Sequence, residues 1–253
     1  MNSMMLALLL NIYSQVGPIG IIQMPTIFGE FKPVVGEYVE YRVHELDSDS
    51  VQIIKIAIVG ESACEESLDK KKKPQRCYWV EIFSRLESSG YGLLSKMLVS
   101  GDPRDPINIK KMISRIGKRN PVLMKPEDIS KMPKGIGQDI PKNAKVKKQK
   151  EPLKVAIRNI STTVYDFRID KLPFTVWMSK DVPIFGMAKL KSPDLEIDIT
   201  EFGKGAKSEM PELKEQKEQK PDEARPANIK LDKDTILEEK KDSMDEKNED
   251  NIE

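Results

Sequence analysis

Short alternations of apolar and polar residues recur along this chain, and they restrict it to a fold built mainly of strands. In Tyr38-Val39-Glu40-Tyr41-Arg42-Val43-His44, the residues Val39, Tyr41 and Val43 fall on one face and Tyr38, Glu40, Arg42 and His44 on the other. Successive side chains of a strand point to opposite sides, so this spacing predicts one buried and one wet face. Asp47-Ser48-Asp49-Ser50 reads as a turn, and strand text follows at 51–59, 77–86 and 92–99. The short connections predict an antiparallel meander. Strand text returns at 153–160, 163–169, 175–179, 187–191 and 195–202; in the last, Leu195, Ile197 and Ile199 alternate with Glu196, Asp198 and Thr200.

Between these two groups the period changes. Ile109, Met112, Ile113 and Ile116 fall at i, i+3, i+4 and i+7, with Asp105 and Pro106 before them as cap and first helical residue and Gly117 after them. That spacing predicts a short amphipathic helix. From 120 to 150 the chain is rich in Pro, Gly and Lys and has no aromatic residue, with a second short helix expected near 126–131. The resulting fold class is α+β, mainly β: a curved open antiparallel sheet, or half-barrel, with the short helix laid over its concave face. One β-rich domain is expected over 36–203.

The two ends read differently. The apolar run Met4 to Leu10 followed by Ser14 reads as a secretory signal over 1–15, although Met1-Asn2-Ser3 carries no positive charge; a buried amino-terminal helix is the alternative. Residues 204–253 hold 11 basic and 16 acidic side chains and no aromatic one, so they are expected to form a disordered charged tail. Cys64 and Cys77 bracket a charged insert and sit beside strand text at the facing ends of a hairpin. A disulfide there would stabilise the fold by roughly 3 kcal/mol in the chain-entropy account and would persist in an oxidising compartment; two unpaired thiols are the alternative. Export to the periplasm or cell envelope follows as an expectation.

Composition narrows the chemistry. A single histidine, His44, leaves one ring for any nucleophilic triad, and two cysteines with one histidine do not make an ordinary zinc site. Gly135-Ile136-Gly137 belongs to no phosphate-binding motif, and Glu81, Glu196 and Asp198 alternate with apolar neighbours as wet-face residues do. The expectation is a protein that binds rather than catalyses, with no cofactor, no metal and no catalytic residue. The net charge of +1 conceals a segment, 107–150, that carries 13 Lys and Arg against three acids. Such a stretch suits an anionic membrane surface or an envelope partner protein, or is simply a solvated basic loop. Nucleic acid is not expected, because no aromatic residue is present to stack on bases.

The segment from Trp177 carries Ser179, Val182, Pro183, Gly186 and Lys189 in the spacing W-x-S-x-x-V-P-x-x-G-x-x-K, and the first strand opens Gly-Glu-Tyr-Val-Glu-Tyr. On these residues the chain resembles the bacterial exported lipoprotein-carrier (Lol-type) superfamily and its relatives. The resemblance implies an open curved sheet and a role in holding a lipid or lipoprotein acyl chain. The residues expected to line such a site are Ile109, Met112, Ile113 and Ile116 of the apolar stripe, with Trp177 and Phe185 of the hairpin. The rival expectation is a structural or assembly module that binds a partner through the basic segment and the tail.

Overall fold

The computed structural model describes residues 26–64, 75–88, 92–135, 139–156 and 158–212. The expected signal at 1–15 and the tail beyond 212 lie outside them. The strands are β1 (Tyr38–Glu45), β2 (Ser50–Ala63), β3 (Arg76–Leu86), β4 (Gly92–Val99), β5 (Ile109–Ile116), β6 (Val122–Leu123), β7 (Lys145–Val155), β8 (Arg158–Ile169), β9 (Leu172–Met178), β10 (Met187–Lys191) and β11 (Leu195–Gly203). One short helix, α1 (Pro126–Ser130), lies between β6 and β7.

All eleven strands form one open sheet in the order β6-β5-β4-β3-β2-β1-β11-β10-β9-β8-β7. The chain makes two antiparallel meanders, and the seam that joins them is the pairing of its first strand with its last. Across that seam Val39 faces Phe202, Tyr41 faces Ile199 and Val43 faces Ile197, so apolar side chains of both meanders share one side. The edges are β6 and β7. The first is two residues long; the second carries Lys145, Lys147, Lys148, Lys150 and Lys154, and its register shifts twice against β8. Brevity, lysines and bulges all discourage an edge from pairing with another chain.

The concave side is filled from the amino-terminal side of β1. Ile27 and Phe28 are fully buried there among Tyr41, Ile54, Ile56, Met97, Leu190 and Ile197. The Phe28 ring meets Phe167 edge-on at 5.0 Å and Phe174 at 5.6 Å, so this plug ties the lead to β8 and β9. Fully burying one such ring contributes about 2–3 kcal/mol. Helix α1 adds Ile129 to the same core.

A buried arginine fixes the plug. Arg104, 6% exposed, donates from Nη1 to the Ile27 carbonyl (2.7 Å) and from Nη2 to the Gly29 carbonyl (2.8 Å). Asp102 receives its Nε at 3.0 Å and its Nη2 at 2.5 Å, and the guanidinium lies 4.8 Å from the centre of the Phe185 ring. Two carbonyls that would otherwise be buried without partners are thereby satisfied, and the cation itself is neutralised. Gly29 has φ +111°, and a Cβ on it would stand 1.9 Å from the Phe185 carbonyl oxygen, so the lead can pass the hairpin this closely only with glycine.

The structure corrects three expectations. Residues 109–116 form β5 rather than a helix: only Pro106–Asn108 makes a single 3-10 turn, capped by Asp105, whose Oδ1 accepts from the Ile107 N–H at 3.2 Å. The i, i+3 spacing is a bulge. The register against β4 skips a residue between Lys111 and Ile109, which puts Ile109 and Met112 on the core side although three positions separate them. Glu81 is not on a wet face, since it is only 4% exposed. The folded body also runs beyond 36–203 at both ends, because residues 204–212 cross the outer face of the sheet and bury Met210 against Phe83, Leu94 and Ile113.

Other expectations hold. Cys64 and Cys77 form a disulfide at the loop end of the β2–β3 hairpin, where Ser62 pairs with Cys77 and the Cys64 N–H donates to the Gln75 carbonyl at 2.9 Å. His44 lies on the outer side of β1 with Nε2 2.8 Å from the Asp49 carboxylate. Glu196 and Asp198 are outer-face residues paired with Lys191 and Lys189, and the Lys191 ammonium holds the Glu196 carboxyl below its ordinary range.

Two substitutions test this core. Arg104→Met keeps volume but strips the Ile27 and Gly29 carbonyls of their donors, and is expected to lower stability by about 2–4 kcal/mol in urea titration. Tyr41 is fully buried and donates to the Met187 carbonyl at 2.9 Å, and burial pushes its phenol well above the ordinary value. A phenol whose pKa is raised on folding contributes stability that is present below the unfolded value, about 10, and lost as the pH rises beyond it. Tyr41→Phe is therefore expected to cost about 1–2 kcal/mol at neutral pH, and the gap to wild type should shrink in denaturation curves taken above pH 10.

Candidate functional site

An open depression of about 1050 Å³ lies between the lead, the start of β8, the β9–β10 hairpin and the end of β11. The hairpin turn builds one wall. The Ser179 N–H donates to the Gly186 carbonyl (2.8 Å), the Phe185 N–H to the Pro183 carbonyl (2.8 Å), and the Asp181 N–H to Ser179 Oγ (3.2 Å). Gly186 at φ +76° and Ile184 at φ +70° turn the chain sharply. A β-branched residue in that region is strained, and here burial of the Ile184 side chain and the bond from the Lys32 N–H to its carbonyl (2.7 Å) hold it.

These contacts assign work to the residues behind the family resemblance. Ser179 caps the turn, Pro183 supplies its acceptor, Gly186 supplies its φ and Val182 is buried beneath it. Trp177 pairs in register with Lys189, whose ammonium lies 6.0 Å from the indole centre and bonds Asp198. The spacing is thus the recipe for a hairpin.

The depression is apolar at its floor and cationic at its rim. Val34, Met178, Val182, Ile184 and Phe202 give the apolar surface, while Lys32, Lys150, Arg158, Lys180 and Lys204 supply positive charge against Glu30, Glu37 and Asp181. Lys32 is answered by Glu30 at 2.9 Å and Lys204 by Glu37 at 3.9 Å. Among the described residues Lys150, Arg158 and Lys180 have no ion pair; the Arg158 guanidinium lies 4.7 Å from the centre of the Phe202 ring, which holds the cation in place beside apolar surface. The neighbouring alcohols Ser161, Thr162 and Thr163 add hydroxyls to the wall.

The residues expected to line a ligand site are not brought together. Ile109 and Met112 are packed in the concave core, Ile113 is on the opposite face under Met210, and Ile116 is exposed at the end of β5. Trp177 is half-buried beside Lys189. Phe185 alone borders the depression, with its ring buried against Arg104 and Phe31. The residues that sequence reasoning missed, Val34, Lys150, Arg158 and Phe202, come from four separate parts of the chain and share no local pattern.

No family model matches the chain, and no curated protein does. A solved structure of PNGF-II in space group C2 aligns over 69% of this chain and 28% of its own, with 10% identity and a TM-score of 0.26. A likeness of that size bears on neither fold nor function.

Gly186→Val should open this wall. A Cβ there would stand 3.3 Å from the Ser179 carbonyl oxygen at a φ that side chains avoid. The expected loss is about 1–2 kcal/mol by thermal denaturation.

Proposed function

We propose that this protein is a non-enzymatic, exported binding protein, and that its ligand is an anionic amphiphile such as an acyl chain with an acidic head. The observation that carries this reading is the depression beside the hairpin. It joins an apolar floor to three cations unpaired among the described residues, whereas Ile27 and Phe28 occupy the concave side of the sheet. An acyl chain would lie on Val34, Val182 and Phe202, and its acidic head would meet Lys150, Arg158 and Lys180. Small-molecule sites pair a mostly apolar lining with a few placed polar groups in about this way. The Cys64–Cys77 disulfide supports an oxidising compartment.

A second reading, a structural or assembly module that binds an envelope partner through the basic segment, draws support from the exposed lysines of the β7 edge. Titration separates the two. The Lys150→Glu/Arg158→Glu double variant should bind a fluorescent fatty acid at least tenfold more weakly than wild type, with an unchanged melting temperature. Absence of saturable binding by the wild-type protein, together with no lipid co-purifying in native mass spectrometry, would remove the amphiphile reading and leave the partner module.

A further inference from the structure

The outer face of β2, β3 and β4 carries a second surface. Lys55, Glu81 and Lys96 stand in a diagonal row across these strands, with Glu81 directly opposite Lys96 in the β3–β4 register and Lys55 two residues off that line, opposite Phe83. Rings on neighbouring strands place the two cations: Lys55 lies 5.5 Å from the centre of Tyr38, and Lys96 lies 5.3 Å from the centre of Trp79. Beside this row Phe83, Leu94 and Ile113 form an apolar notch.

Residues 204–212 occupy this surface as an extended segment without strand pairing. The Ala206 N–H donates to the Gly36 carbonyl at 2.8 Å. Ser208 Oγ donates to the Glu81 carboxylate and accepts from Lys96 Nζ at 2.7 Å. The Glu209 N–H donates to Glu81 Oε2 at 2.8 Å, its carboxylate meets Lys55 Nζ at 2.8 Å, and Met210 fills the notch. Glu81 thus reads a backbone N–H and a hydroxyl, Lys55 reads an acid, and the notch reads an unbranched apolar side chain. This is how a site that recognises a short peptide is laid out, and here it is filled in cis.

We propose that the outer face of β2–β5 is a peptide-docking surface whose resident occupant is residues 205–210, and whose partner is an extended segment presenting the same sequence of groups: hydroxyl, acid, unbranched apolar residue. Lys96 is itself 3.6 Å from Glu81 and 5.3 Å from the Trp79 ring centre, contacts in which the segment takes no part, so Glu81 would have a counter-charge when the segment leaves. Release has a ready hinge, because Gly205 turns at φ +93° with open space around it. A tethered occupant acts at an effective concentration on the order of millimolar, so a free peptide competes well only when the tethered one is weakened.

The test uses the full chain and a labelled peptide corresponding to Lys204–Glu212, followed by fluorescence anisotropy. Two variants loosen the resident segment: Met210→Ser, which empties the notch, and Glu209→Lys, which breaks the Lys55 pair at an exposed position and leaves the core untouched. Each should bind the peptide at least tenfold more tightly than wild type. Adding Glu81→Gln, which sets an amide donor against two donors, should abolish that binding, as should replacing the peptide's methionine by serine. Equal binding by wild type and the Glu209→Lys variant, or binding that survives Glu81→Gln, would overturn the proposal.

Discussion

The fold depends on one buried cation. An open sheet of eleven strands cannot close on itself to remove its concave apolar face from water, so something must fill it. Here the filling comes from Ile27 and Phe28, and the Arg104 guanidinium holds their backbone in place by bonding the carbonyls of Ile27 and Gly29. Its other contacts are Asp102 in the β4–β5 connection and the Phe185 ring in the β9–β10 hairpin. One side chain therefore links the lead, the first meander and the second.

From that link the rest of the architecture follows. The seam between β1 and β11 unites the two meanders, and Phe28 against Phe167 and Phe174 ties the second meander to the same core. With the concave side occupied, the two candidate binding surfaces lie beside the plug and on the opposite face of the sheet. The depression beside the hairpin forms where the lead, β8 and β11 meet without closing, and the row Lys55, Glu81, Lys96 forms where the segment after β11 crosses the opposite face. Each combines apolar surface with charges that aromatic rings hold in position.

Strands with a clean alternation were legible in the sequence. Val39, Tyr41 and Val43, or Leu195, Ile197 and Ile199, state their inward face directly, and the cysteines bracketing a hairpin announced their pairing. Residues 109–116 misled because a bulge inserts one residue, turning a spacing of two into a spacing of three, and because Met210 covers the outer face at Ile113. Glu81 looked wet for the same reason: alternation names the side on which a residue lies, and cannot say that a distant segment covers that side. The hairpin residues from Trp177 to Lys189 were legible as a motif, and their work is to shape a turn. The lining of the depression was not legible at all, since Val34, Lys150, Arg158 and Phe202 converge only in three dimensions.

The central claim is that residues 26–29 are a permanent plug that keeps the concave side of the sheet filled. Native-state hydrogen exchange at the Phe28 amide, which points at Met187 Sδ from 3.4 Å, tests it most directly. A plug that leaves only on global unfolding predicts that Phe28 exchanges as slowly as Tyr41 and Ile197 in the seam, with the same dependence on denaturant. Exchange at Phe28 that is orders of magnitude faster than in the seam would mean that the lead swings out of the intact sheet, opening the concave side, and would contradict the account.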